Sequence, residues 1–120
     1  MSNTNNIKAE LGDYTILIGD KFDDSRAVYQ KDDNGVLTPY SLAGKTVRTE
    51  VRAEKDGAVV LSMVSPTDIT ISGDDDEIYT YDKVITELSE GKYYYDTQID
   101  EDKYTIRSGM IMAKAQITDD

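Results

Sequence analysis

The side chains that could do chemistry in this chain are its carboxylates and its tyrosines, because the usual catalytic partners are missing. There are 24 Asp and Glu and nine Tyr, with no His and no Cys. Without His, the Ser–His and Cys–His mechanisms and nearly all zinc sites are ruled out. Without Cys, so are disulfides and thiolate chemistry, which suits folding in a reducing compartment. What remains is acid–base work by paired carboxylates, or the binding of a hard cation by a cluster of them.

The densest acidic run is Asp74-Asp75-Asp76-Glu77. Calcium loops place their ligands at alternate positions and use a Gly between them to turn the chain sharply. Here the acids are consecutive and Gly73 precedes them, so the run reads as a solvated turn. Asp20, Asp23 and Asp24, and the pair Asp32-Asp33, read the same way. No two carboxylates stand out by spacing as an acid and its base. The eight glycines are dispersed among turns rather than gathered in a phosphate-binding loop. No catalytic residue, metal or cofactor is therefore expected, and the chain does not read as an enzyme.

The tyrosines are more informative. With no Trp and a single Phe, Phe22, the large rings of any core must come from Tyr, and each buried hydroxyl then needs a partner. Three tyrosines are consecutive in "LSEGKYYYD", Leu88 to Asp96. Leu88-x-x-Gly91-x-Tyr93 is the pattern of a tyrosine corner, in which the hydroxyl bonds back to backbone a few residues upstream. Gly91 would allow the tight approach and Leu88 would pack beneath it. Strand alternation then puts Tyr93, Tyr95, Thr97 and Ile99 on one face and Tyr94, Asp96 and Gln98 on the other. Tyr95 is expected in the core, and Tyr94 is the one ring of the three left to meet a partner or an exposed cross-strand neighbour.

These residues must be positioned by strands. Short β-type segments recur roughly every ten residues between turn signals, as in an all-β sandwich or barrel. Thr46 to Glu54 alternates most cleanly, with Val47, Thr49, Val51 and Ala53 opposite Arg48, Glu50, Arg52 and Glu54. Asp13 to Ile18 and Ser25 to Gln30 precede it, and Asn34-Gly35 is a strong tight-turn dipeptide. Ala58 to Val64 follows and stops at Ser65-Pro66. Ile69 to Ile71 and Glu77 to Tyr81 come next, and Lys83 to Leu88 has room for one helical turn. Lys92 to Asp100 and Lys103 to Ile117 read as a closing hairpin. Its second strand changes phase between Ile106 and Ile111, which predicts a β-bulge at Gly109. Met110 and Met112 would then point away from the main core, as a satellite cluster or a contact surface.

A chain of 120 residues suits one domain. Its formal charge of −11 argues against a nucleic-acid backbone or an anionic membrane surface as partner, and favours solubility. No apolar run reaches the length of a membrane span, and no apolar segment suggests a signal peptide. Residues 1–7 are expected as a flexible arm and 8–120 as the domain.

Several pieces together resemble the small Ig-like domain of tailed bacteriophages, found at the N-terminus of baseplate upper proteins and in small stand-alone virion proteins. They are "ILIGDKF" (Ile16 to Phe22), "DNGVLTPYSLAGKTVRTEVR" (Asp33 to Arg52), "LSEGKYYYDTQI" (Leu88 to Ile99) and "YTIRSGMIMAKAQIT" (Tyr104 to Thr118). The resemblance spans roughly Tyr14 to Thr118. It implies an Ig-like antiparallel β-sandwich of about seven strands. It also implies a structural role without catalytic residues, in a virion assembled in the bacterial host cytoplasm. Tail, baseplate and capsid decoration are all open, as is homo-oligomerisation, and the partners would be other virion proteins. The expected corner is Leu88, Gly91 and Tyr93, and the expected partner contacts are Tyr94, Met110 and Met112. The alternative is a stand-alone ligand- or receptor-binding module holding glycan or protein on a Tyr- and acid-rich face. That reading requires Tyr29, Tyr40, Tyr79, Tyr81 and Tyr94 to share one open face.

Overall fold

A computed structural model describes residues 10–115, and the expected arm at residues 1–7 lies outside them. Among the described residues every regular element is a strand. In chain order they are β1 (Glu10–Leu11), β2 (Tyr14–Leu17), β3 (Lys21–Phe22), β4 (Ser25–Ala27), β5 (Tyr29–Lys31), β6 (Leu37–Pro39) and β7 (Val47–Arg52). They continue as β8 (Val59–Val64), β9 (Ile69–Ser72), β10 (Ile78–Tyr81), β11 (Lys83–Val84), β12 (Gly91–Ile99) and β13 (Tyr104–Lys114).

The larger sheet has six strands. Both β1 and β2 lie parallel along the outer edge of β13, followed by β12, β7 and β8 in antiparallel order. The second sheet runs β4–β10–β9, also antiparallel. Two small antiparallel ladders, β3–β11 and β5–β6, complete the fold.

Period-two alternation built the larger sheet. In β7, Val47, Thr49 and Val51 are buried while Arg48, Glu50 and Arg52 are partly exposed. In β12, Tyr93, Tyr95, Thr97 and Ile99 are buried and the residues between them are not. These inner faces meet Ile69, Tyr79 and Tyr81 of the second sheet in a single buried cluster. Phe22 of β3 and Val28, Leu42, Ile85 and Leu88 of the connecting segments close it.

Burying tyrosine in place of Trp and Phe creates the need for hydroxyl partners, and the fold supplies them to Tyr81, Tyr14 and Tyr95. The Tyr81 hydroxyl lies 2.8 Å from both Thr49 Oγ1 and Thr97 Oγ1, which are 2.7 Å from each other. This closed ring of three buried hydroxyls ties the second sheet to the two central strands of the first. Tyr14 donates to Asp24 Oδ2 (2.6 Å) and Tyr95 to the Gly12 carbonyl (2.7 Å).

Three local expectations are revised. The extra residue in β13 falls at Ile106–Arg107, not at Gly109: Thr97 pairs with Arg107 but Gln98 pairs with Thr105. Ile106 and Arg107 are consequently both buried. Lys83 to Leu88 forms no helical turn; its first two residues pair with β3, because a segment this short gains more from a ladder than from one helical turn. The stretch Ser25 to Gln30 is not one strand: it breaks at Val28, which turns into the core between β4 and β5.

Candidate docking face

The outer face of the six-stranded sheet gathers the three expected contact residues. Tyr94 is paired with Met110, and Lys92 with Met112, across the β12–β13 ladder. Tyr94 and Met110 are partly exposed and Met112 is exposed. Alternation puts them on the side opposite the buried Tyr93, Tyr95, Ile111 and Ala113. Lys92 Nζ lies 5.7 Å from the Tyr94 ring centre.

Beside them is an open depression whose lining includes Leu11, Gly12, Arg52, Tyr94, Asp96 and Met110. Leu11 is its most exposed apolar member, at 84%. Arg52 binds Glu50 Oε1 at 2.9 Å and sits 3.6 Å from Asp96 Oδ2, while its Nε donates to the Gly57 carbonyl. Burial pushes the Asp96 carboxyl above its ordinary range, with Arg52 opposing the shift and Glu50 adding to it. Glu50 and Asp96 therefore flank a guanidinium on an open sheet face.

The floor of the depression is a backbone-on-backbone contact that sequence reasoning missed. A Cβ on Gly109 would lie 1.9 Å from the Gly12 carbonyl oxygen. Gly12 N donates to the Ser108 carbonyl (3.0 Å), and Asp13 Oδ1 accepts from Met110 N (3.0 Å). Glycine in a strand interior marks either a bulge or a close backbone approach; here it is the approach. Beneath Gly12 lies Arg107, only 5% exposed, with Nη1 3.1 Å from Glu10 Oε1 and its guanidinium 5.1 Å from the Tyr14 ring centre. Tyr95, bonded to Gly12, has its hydroxyl pushed up to about 12 by burial.

Near the start of β12, the Tyr93 hydroxyl donates to the Ser89 carbonyl, four residues upstream, at 2.8 Å. Leu88 is buried beside it, and Gly91 adopts φ +150°, a conformation side chains disfavour.

The tyrosines do not share one open face. Tyr79 and Tyr81 are buried in the core, Tyr94 is on the outer face, and Tyr29 is on the β5–β6 ladder. Tyr40 is partly exposed and its hydroxyl donates to Asp102, which also binds Lys45 Nζ at 2.8 Å. The run Asp74 to Glu77 forms a turn in which Glu77 Oε1 accepts from Asp75 N (3.2 Å). Among the described residues, no group of three or more acidic side chains converges as a metal site requires. Comparison with known proteins finds no family model and no curated protein that matches this chain.

Proposed function

We propose that this protein is a non-enzymatic structural component of a bacteriophage virion, in the tail or baseplate or attached to the capsid, acting by docking to other virion proteins. The observation that carries the reading is the strand order. A sheet running β13–β12–β7–β8, with β2 parallel on its outer edge, faces a sheet running β4–β10–β9. That order supports an Ig-like sandwich, the fold that the phage resemblance implies. The Tyr93–Ser89 bond supports a tyrosine corner at the place where Leu88-x-x-Gly91-x-Tyr93 predicts it. A fold alone carries no function; docking is favoured by the apolar side chains left open on the outer face, Leu11 and Met112 beside Tyr94 and Met110.

The competing reading, a binding module built on a tyrosine-rich face, has less support because Tyr79 and Tyr81 are committed to the core. Mass spectrometry of purified particles of the encoding phage tests the proposal. The expected result is this chain at a copy number set by virion symmetry; particles that lack it overturn the role.

A further inference from the structure

The β5–β6 hairpin has its pattern reversed. Among the described residues its strands pair only with each other, Tyr29 opposite Pro39, Gln30 opposite Thr38, and Lys31 opposite Leu37. Opposed residues share a face, so Tyr29, Lys31, Leu37 and Pro39 lie on one side and Gln30 and Thr38 on the other. An antiparallel ladder resting on a protein body ordinarily covers its apolar side and wets its polar one. Here the polar pair is partly covered, while all four residues of the other face are exposed. Leu37 is 60% exposed and Tyr29 44%, and Val36 in the adjoining loop is open as well. A two-stranded ladder is at best marginal alone in water, and among the described residues nothing pairs with or covers this apolar side.

We infer that this face is the contact between two copies of the chain, their hairpins packed face to face and antiparallel about a two-fold axis. Charge selects both the place and the arrangement. Two bodies of formal charge −11 repel, so a stable contact must lie where charge is sparse. Residues 34–44 contain no charged side chain, and the apolar face carries one charge, Lys31. Parallel stacking would put Lys31 over Leu37 of the second copy, level with the second Lys31, and bring the tip acids Asp32 and Asp33 together. Antiparallel stacking places Lys31 over Tyr29 of the second copy, a favourable cation–π geometry. It also separates the acidic tips by the ladder length, about 10 Å for three residues per strand, which is roughly the screening length of physiological salt. Such a contact is isologous and closes at two copies.

The inference is independent of the virion role, since a dimer in a protein missing from particles leaves it standing. Sedimentation equilibrium over a concentration series is the test. A dimer is expected that tightens as salt is raised, because salt screens the repulsion between acidic bodies. Leu37→Asp should weaken it by at least about tenfold, with the unfolding midpoint unchanged at dilutions where both proteins are monomeric, because Leu37 lies outside the core. Ser62→Lys, on the open edge of β8, should leave it intact. A monomer at every concentration and salt overturns the inference. So does a dimer indifferent to Leu37→Asp, or one abolished by Ser62→Lys.

Discussion

Removing the Tyr81 hydroxyl alone should cost far more, atom for atom, than removing all three hydroxyls of its ring. Tyr81, Thr49 and Thr97 are fully buried and each oxygen lies within 2.8 Å of the other two. Three donors therefore serve three acceptors with nothing left over. Tyr81→Phe deletes two of the three bonds and strands one threonine proton in the core. At about 1 kcal/mol per bond, plus the stranded hydroxyl, the loss is about 2–3 kcal/mol. With a urea slope of about 1–3 kcal/mol per molar for a domain of this size, the midpoint should fall by about 1 M. Thr49→Val and Thr97→Val should each behave alike. The triple variant Tyr81→Phe/Thr49→Val/Thr97→Val keeps nearly all the volume and leaves no orphan. Its cost should be no more than that of one single change, against about 6–9 kcal/mol if the three simply added. Equilibrium urea unfolding followed by circular dichroism reads all four variants. A negligible shift for Tyr81→Phe, or a triple variant equal to the sum of the singles, would refute the ring as an energetic unit.

Tyr93→Phe should destabilise by about 1–3 kcal/mol through loss of the bond to the Ser89 carbonyl; an unchanged unfolding curve would count against that bond. Gly109→Ala drives a methyl group into the Gly12 carbonyl, so hydrogen exchange should rise in residues 10–17 ahead of the central strands. Protection that stays uniform argues against this contact as the anchor of β1 and β2. Asp102 is held below the ordinary carboxylate range by Lys45 and then Tyr40. A depressed folded pKa contributes stability above the unfolded value, about 3.9, and loses it as pH falls through the folded one. Asp102→Asn should therefore lower stability at neutral pH and narrow its gap to the parent below about pH 4; parallel pH profiles for the two proteins would contradict this.

The parts of the fold that were legible in the sequence are those where one strand face is buried and the other wet. Val47 to Arg52 and Tyr93 to Ile99 declare their faces by alternation alone, and the outward placement of Tyr94 follows from it; that of Met110 and Met112 needed a bulge as well, which the structure has at Ile106–Arg107 rather than Gly109. The illegible parts depend on partners far away in the chain. Arg107 reads as an outward residue, yet it is buried because Glu10 and the Tyr14 ring, nearly a hundred positions earlier, receive it. That inward turn moves the bulge to Ile106–Arg107, whereas composition points to Ser108-Gly109. Gly109 was recognisable as special, but whether it served a bulge or a close approach depended on Gly12 arriving beside it. The hydroxyl ring was hidden for the same reason. Thr49 and Thr97 look like ordinary members of a core face until Tyr81 crosses from the other sheet. The open side of the hairpin was hidden too, because the pairing of Tyr29 with Pro39 and Lys31 with Leu37, and whether the body covers them, is settled only by the fold.

The pairing of β2 with β13 has a mechanical consequence. The two strands are parallel, Tyr14 to Leu17 beside Ile111 to Lys114, with Gly12 N bonded to the Ser108 carbonyl at one end and Ile18 N to the Lys114 carbonyl at the other. Tension applied between the start of β2 and the end of β13 slides one strand lengthwise along the other. Every rung of the ladder is then loaded together, instead of being opened one at a time as in a hairpin pulled from its ends. Rupture under load is governed by the rate of crossing the unfolding barrier rather than by equilibrium stability. A domain tethered through both of its ends by this clamp can thus be only moderately stable in urea and still yield slowly to force.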